Sequence, residues 1–181
     1  NCSFEGNIET GGGGICGNYC AHNGKLKIIN CYFNGEIKGD NSGGICGSNF
    51  CNYNENHLNR LASVDIQNCY SIGNINGKGA GGICGIYCAS LNGEVTIKKC
   101  YSNGDVGNNG GGICGKACGG TGGMVTTPQV PKPQVEVANV TIQNCYSSGS
   151  IGENAGGICG SNCVSVNINY CLFKNEATDT D

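Results

Sequence analysis

Apolar residues fall on every second position in five short segments of the chain. Each segment has the pattern Val-x-Ile or Leu-x-Ile, and the five lie at residues 26–28, 64–66, 95–97, 140–142 and 166–168. Strict alternation predicts a β-strand with one buried face and one face toward solvent. The position between the two apolar residues holds Lys27, Asp65, Thr96, Thr141 or Asn167. We therefore expect these five side chains to form an outward row.

Two further phrases recur beside each segment, always in the same order. Asn-Cys-Tyr or a variant follows the alternating segment, at residues 30–32, 68–70, 99–101, 144–146 and 170–172. The stretch that comes next, such as residues 71–75, predicts a second short strand that ends in a turn. Gly-Gly-Ile-Cys-Gly, which we interpret as a third strand, stands at 13–17, 43–47, 81–85, 111–115 and 156–160.

The repetition itself predicts the fold. Units that recur at intervals of 30, 38, 30 and 45 residues bury their apolar face only against neighbouring copies. Three short strands in each unit suit one coil of a parallel β-helix. We predict an all-β parallel β-helix (β-solenoid) of about five three-strand coils. Residues 1–181 would form a single repeat domain, with coils at about 2–30, 31–68, 69–99, 100–144 and 145–171.

Two units carry an insertion at the same register. The first, residues 52–63, contains His57 and Arg60, and the second, residues 119–139, contains the three prolines of the chain, Pro128, Pro131 and Pro133. Insertions at one register emerge on one edge of a repeat protein, so both should decorate the same side. A surface loop without a task is the alternative. Residues 172–181 are expected to form a C-terminal tail.

Glycine and asparagine mark the bends of the predicted coil. Gly-Gly before Ile-Cys permits a sharp bend and a close approach of neighbouring backbone. Asparagine tolerates the left-handed conformation, so Asn30, Asn68 and Asn144 suit a corner of the coil. Stacked copies would hydrogen-bond as a ladder along the axis, or they serve only as turn residues.

Composition changes how this fold must be held together. The chain has 34 Gly and 16 Cys but no Trp, so it lacks the aromatic bulk of an ordinary globular core. An even and large number of cysteines is typical of secreted or cell-surface proteins stapled by disulfides. We therefore expect an extracellular protein without a cofactor.

Charge and hydropathy narrow the range of partners. The formal net charge of −3 comes without a Lys/Arg cluster, so we expect no nucleic-acid partner. No apolar run approaches the ~20 residues that cross a bilayer. The chain opens without a signal-like segment, which suggests a mature or internal fragment. Asn1 and Asn139 fit the acceptor pattern for N-glycosylation.

Taken together, these phrases resemble GLUG-motif repeats. In that family Gly-Gly-Leu-Val-Gly accompanies Ile-x-Asn-Ser-Tyr-Ser-x-Gly-x-Val, and here Gly-Gly-Ile-Cys-Gly accompanies Val-x-Ile-x-Asn-Cys-Tyr-Ser over nearly the whole chain. The resemblance implies a β-solenoid of surface and secreted proteins, in which the repeats serve as stalk or binding surface. This chain departs from the family in placing cysteine where the family has Val, Ser or Asn.

The cysteines fall into three columns with none left over. The Asn-Cys-Tyr column holds Cys2, Cys31, Cys69, Cys100, Cys145 and Cys171; the Ile-Cys-Gly column holds Cys16, Cys46, Cys84, Cys114 and Cys159; and the third holds Cys20, Cys51, Cys88, Cys118 and Cys163. Equivalent positions of neighbouring coils lie at a separation that a disulfide tolerates. One regular scheme pairs Cys2–Cys31, Cys69–Cys100, Cys145–Cys171, Cys16–Cys20, Cys46–Cys51, Cys84–Cys88, Cys114–Cys118 and Cys159–Cys163. Connectivity cannot be deduced from sequence alone, so other pairings stay open.

Metal binding and catalysis are the alternatives for these cysteines. Cys-x3-Cys spacings can hold zinc, but a structural site needs four clustered ligands, and only His22 and His57 are available to supplement the thiols. Neither histidine recurs with the repeat, which disfavours a base beside a reactive cysteine. We expect no metal site and no catalytic residue.

Three functions compete on the sequence. The first is a disulfide-hardened rod in an extracellular filament, stalk or surface coat, paired head-to-tail with itself or with neighbouring repeats of a longer chain. The second is a surface adhesin that binds glycans on stacked Tyr32, Tyr70, Tyr101 and Tyr146. The third is an enzyme, which the five unlike residues of the outward row disfavour. The sequence favours the structural role and predicts that the protein is not an enzyme.

Overall fold

The computed structural model describes residues 1–21, 24–51, 62–89, 93–120 and 138–175. Within these ranges the chain forms eleven β-strands and no helix. The strands are β1 (Ser3–Glu5), β2 (Lys25–Ile29), β3 (Tyr32–Asn34), β4 (Ser63–Gln67), β5 (Tyr70–Ile72), β6 (Glu94–Lys98), β7 (Tyr101–Asn103), β8 (Asn139–Gln143), β9 (Tyr146–Gly149), β10 (Val166–Asn169) and β11 (Leu172–Asn175).

The strands form two parallel sheets in which the repeats pair in chain order. One sheet has six strands in the order β1-β3-β5-β7-β9-β11, and the other has five in the order β2-β4-β6-β8-β10. Every neighbouring pair is parallel, and its register sets like residue beside like, for example Ile66 beside Ile97. The predicted all-β parallel architecture is confirmed, and it is consistent with a β-solenoid.

The alternating segments form the five-stranded sheet as predicted. Val95 and Ile97 of β6 are fully buried, whereas Thr96 between them is half-buried and lies beside Asp65 and Thr141 in the register. The outward row predicted from the sequence is therefore present. The inward-facing Val and Ile residues of the same strands, together with Ile45, Ile83 and Ile113 of the glycine blocks, form the hydrophobic core.

The Gly-Gly-Ile-Cys-Gly block does not form the predicted third strand. Successive blocks meet at isolated parallel bridges, such as Gly81 with Gly111 and Cys84 with Cys114, and backbone hydrogen bonds such as that from Ile83 to Ile113 join them between the bridges. The chain folds back within the block, and this brings the first glycine close to the following cysteine. A Cβ on Gly81 would therefore overlap the carbonyl oxygen of Cys84. Each repeat thus has two strands, and the third side consists of bends and bridges.

The second predicted strand is also shorter than expected. Strand β5 ends at Ile72, and the chain bends at Gly73, whose φ is +124°. A β-conformation does not continue through that value. Ile75 returns to the stack through isolated bridges to Ile37 and Val106.

The asparagines before the cysteines take the left-handed conformation that the sequence predicts. Asn30, Asn68 and Asn144 have φ values of 54°, 52° and 54°. The ladder is present in part, since Asn68 Nδ2 donates to Asn30 Oδ1 at 3.2 Å. Lys99 stands at the same corner with φ 52° and interrupts the run of asparagines.

The predicted insertions and tail meet the described residues only at their margins. Residues 52–61 and 121–137, with His57, Arg60 and the three prolines, lie outside the described residues, as does His22. Ser63 and Asn139, which the sequence analysis placed in the insertions, already begin β4 and β8. Residues 172–175, expected to open the tail, form β11 and extend the six-stranded sheet.

Candidate functional site

All sixteen cysteines have unbonded thiols in this structure, and all except Cys51 stand in the three predicted columns. In the third column Phe50 takes the place predicted for Cys51, since the amide of Ala89 donates to the carbonyl oxygen of Phe50 as that of Gly119 donates to Cys88. The first column, Cys2, Cys31, Cys69, Cys100, Cys145 and Cys171, is called here the single file. The other ten cysteines, in two columns side by side apart from Cys51, are called here the double file. The register of the isolated bridges stacks Cys16, Cys46, Cys84, Cys114 and Cys159 directly upon one another.

Thiols of the single file contact their neighbours above and below. The Cys100 thiol is in hydrogen-bonding contact with the thiols of Cys69 and Cys145. Its sulfur also lies 3.3 Å from the carbonyl oxygen of Lys98 and 3.8 Å from that of Ile66, either of which can accept its one S–H proton. The same two carbonyl contacts recur at Cys69, Cys145 and Cys171. A single-file thiol therefore has two sulfur neighbours and otherwise backbone oxygen around it.

Thiols of the double file have neighbours across the file as well as along it. The Cys84 thiol contacts those of Cys46 and Cys114 in the adjacent repeats and that of Cys88 in its own repeat. The sulfur atoms of Cys84, Cys88 and Cys114 lie within 4.8 Å of one another. Cys118 adjoins this group without belonging to it, and its thiol is in hydrogen-bonding contact with those of Cys114, Cys163 and Cys88. The side chains of this group and of Cys118 are fully buried.

The mutual hydrogen bonds divide the thiols into acidic and non-acidic ones. Hydrogen bonds from Cys114, Cys46 and Cys88 lower the pKa of Cys84 well below its usual range. Burial, followed by hydrogen bonding to Cys16 and Cys84, raises the pKa of Cys46. At the end of the file, a hydrogen bond from Cys46 lowers the pKa of Cys16 to about 6.

The single file shows the same division. A hydrogen bond from Cys100 lowers the pKa of Cys69 to about 7, while hydrogen bonding to Cys145 and Cys69 raises that of Cys100.

The proposed disulfide pairs are mostly neighbours in space. Within one repeat, the thiols of Cys16 and Cys20, Cys84 and Cys88, Cys114 and Cys118, and Cys159 and Cys163 are in contact. Cys51 differs, because its thiol donates to the carbonyl oxygen of Glu94 at 3.6 Å. Contacts along each column are equally available, so the pairing scheme stays a prediction.

Sequence reasoning found the columns but missed how two of them adjoin. The Cys-x3-Cys spacing could have indicated that the two columns adjoin, since the chain returns to the same side of the stack between the two cysteines. The angle of the bend between the two cysteines decides whether four thiols converge, and that angle is not visible in the sequence.

The four tyrosines form the predicted row, in which two pairs are stacked and the middle pair, Tyr70 and Tyr101, is tilted by 45°. Ring centroids of Tyr32 and Tyr70 are 5.1 Å apart, those of Tyr70 and Tyr101 6.3 Å, and those of Tyr101 and Tyr146 5.9 Å. Stacked aromatic pairs of this kind stabilise neighbouring strands. Asn1 and Asn139, the candidate glycosylation sites, are both exposed.

No protein-family model, curated protein or solved structure matches the chain. Among the described residues there is no helix long and apolar enough to span a membrane.

Proposed function

We propose that the chain is a structural protein, a rigid β-solenoid rod that is the subunit or a segment of an extracellular filament, stalk or surface coat. The two parallel sheets and the bridges of the glycine blocks would close into successive coils. The resemblance of the repeated phrases to GLUG-motif repeats, which stays a prediction, supports the same role.

One observation carries the proposal: the last described repeat exposes the positions that every inner repeat buries. Ile168 is 48% exposed, whereas Ile142, its register partner in β8, is 0% exposed. In the same repeat Val164 is 50% exposed. Apolar surface of this kind stabilises the chain when another repeat covers it.

The sheet edges favour the same kind of partner. Strands β10 and β11 each pair on one side only within the described residues, and unpaired strand edges are templates for further pairing. The occupant that fits both the open edge and the apolar face is another repeat of the same design. A second copy of the chain or a neighbouring repeat of a longer chain supplies it.

Disulfides between the stacked thiols would harden the rod. The proposed pairs are in contact in four of the five repeats of the double file, and closing short loops in this way stabilises a chain by restricting its unfolded state. Such disulfides would suit an oxidising, extracellular setting, which is part of the proposal.

Glycan binding by the tyrosine row is the weaker alternative. A sugar ring would stack on an open aromatic face. Here the faces of neighbouring tyrosines are turned toward one another, at an interplanar angle of 3° between Tyr32 and Tyr70. The row therefore serves the strands more directly than it serves a ligand.

The test is the assembly state of the purified chain. We expect electron microscopy and sedimentation to show filaments, and Ile168→Lys to shorten or abolish them. Asn167→Lys is the matched control, since it changes the neighbouring outward side chain of the same strand. A chain that stays monomeric at every concentration, together with a glycan-array signal that Tyr70→Ala removes, would instead support the adhesin.

A further inference from the structure

We propose that, in the reduced protein, Cys84, Cys88, Cys114 and Cys118 bind one soft divalent metal ion of the zinc and cadmium class. The inference goes beyond the structural role, which does not require it. It concerns the thiol form of the chain, because a cysteine in a disulfide cannot act as a thiolate ligand.

The distances between the sulfur atoms carry the proposal. A tetrahedral zinc site has Zn–S bonds of about 2.3 Å, which place its sulfurs roughly 3.8 Å apart. The sulfurs of Cys84, Cys88 and Cys114 all lie within 4.8 Å of one another. The three ligands therefore need to close by about 1 Å or less, which rotation of their side chains supplies.

Cys118 lies outside the group of three whose sulfurs are within 4.8 Å of one another, and it would move toward them to supply the fourth ligand. Its thiol contacts those of Cys88 and Cys114, so the four sulfurs come from two Cys-x3-Cys pairs in adjacent repeats. The isolated bridge between Cys84 and Cys114 fixes the two pairs in register. Soft thiolates in a set of four are the donors that structural zinc sites use.

Burial distinguishes this tetrad from the double-file thiols of the first and last repeats, which are partly exposed, although Cys46 and Cys51 are as deeply buried. All four side chains are 0% exposed, so the backbone of two repeats already holds the ligands in a dry interior. The preceding repeat lacks an equivalent pair, because the Cys51 thiol turns to the carbonyl oxygen of Glu94. The single file offers only two sulfur neighbours to each thiol, which does not suit a four-coordinate ion.

Binding exchanges protons for the metal without a change in oxidation state. Each coordinating thiol loses its S–H proton to solvent as an S–metal bond forms, and the metal stays divalent. Affinity for the ion should therefore rise with pH.

The test uses the full chain, reduced and kept free of oxygen with a phosphine reductant, and Cd²⁺ as the probe. We expect the ultraviolet band of cadmium–thiolate charge transfer to grow and to saturate at one equivalent. In the double variant with Cys84→Ser and Cys114→Ser the band should be lost. The matched control carries Cys69→Ser and Cys100→Ser in the single file and should retain the whole band.

Protection from alkylation provides a second measurement that needs no variant. Saturating Cd²⁺ in the unaltered chain should slow the alkylation of the four tetrad cysteines and leave that of Cys2 unchanged, as followed by peptide mass spectrometry. Reduced, folded protein that shows no band, or a band that survives in the Cys84/Cys114 variant, would overturn the proposal. Protection spread evenly over all sixteen cysteines would overturn it as well.

Discussion

The strand side and the glycine side of each repeat contact the next repeat in different ways. On the strand side, β6 pairs with its neighbours over five residues, and the side chains of Val95 and Ile97 fill the interior. On the glycine side, the backbones of successive repeats approach closely at isolated bridges. A Cβ on Gly81 would overlap the carbonyl oxygen of Cys84 and the backbone nitrogen of Gly115. The strands therefore need only alternation, whereas the block needs glycine itself.

This difference explains why the block recurs almost unchanged while the strands vary. Side chains on the strand side can be exchanged for others of similar volume, since their neighbours are side chains that adjust. Neighbours of the first glycine are backbone atoms of the same and the next repeat. Those atoms are fixed by the bridges and cannot move aside.

Gly81→Ala should cause the largest loss. The added methyl group overlaps backbone on two sides, so we expect the free energy of unfolding to fall by about 4 kcal/mol or more, which is exceptional for one methyl group. Urea unfolding of the reduced chain, followed by circular dichroism, measures it.

Gly17→Ala is the matched control on the same phrase. A Cβ at Gly17 has no atom within 4 Å, and we expect a change within about 0.5 kcal/mol. Equal losses at Gly81 and Gly17 would show that close backbone approach does not set the sequence of the block.

Ile97→Ala should rank second and break the strand side alone. Ile97 is fully buried, and the cavity left by such a truncation costs about 3 kcal/mol. Ile168→Ala removes the same groups at the equivalent position of the last described repeat, where the side chain is 48% exposed. We expect about 1 kcal/mol there. A comparable loss at both positions in a monomeric sample would contradict the burial argument.

The sequence predicts the strand side better than the glycine side, and the reason is physical. Alternation of Val95, Thr96 and Ile97 is read directly as one face in and one face out, and the register confirms it. Glycine has no side chain to alternate, so a Gly-Gly-Ile-Cys phrase looks the same whether it is a strand or a bend. The structure shows bends joined by bridges.

The candidate site was predictable in part for a related reason. Column membership follows from repeat position for every cysteine except Cys51, where one extra residue after Cys46 puts Phe50 into the column instead. Which thiols adjoin across columns depends on the bend between Cys84 and Cys88, which lies outside any strand. The tetrad therefore emerged only from the three-dimensional arrangement.

The thiols at the end of the double file provide a smaller, pH-dependent comparison. A hydrogen bond from Cys46 lowers the pKa of Cys16 from 9.0 to about 6, whereas burial raises the pKa of Cys20. Between about pH 6 and pH 9 the folded chain thus holds fewer protons at Cys16 than the unfolded chain does. This group stabilises the fold increasingly as pH rises through that window, and its contribution is lost as pH falls through about 6.

Two measurements on the reduced chain check this expectation. Alkylation of Cys16 should reach half of its maximal rate near pH 6, while Cys20 should react only at higher pH. Cys16→Ser should flatten the rise of unfolding free energy with pH, and Cys20→Ser should leave that slope between pH 6 and 9 in place. Identical rate profiles for the two thiols would contradict the assignment.

The smallest expected effect concerns the corner at which the two sides meet. Lys99 holds a left-handed φ of 52° where Asn30, Asn68 and Asn144 stand in other repeats. This conformation costs most residues roughly 1–2 kcal/mol and asparagine less, so Lys99→Asn should raise the free energy of unfolding by about 0.5–1 kcal/mol. The new amide would also add a hydrogen bond to the row in which Asn68 donates to Asn30.

Lys98→Asn is the control, because Lys98 belongs to strand β6 and asparagine is disfavoured there. Equal shifts of the urea midpoint in both variants would contradict the prediction that asparagine stabilises this stack by adopting the left-handed conformation at residue 99.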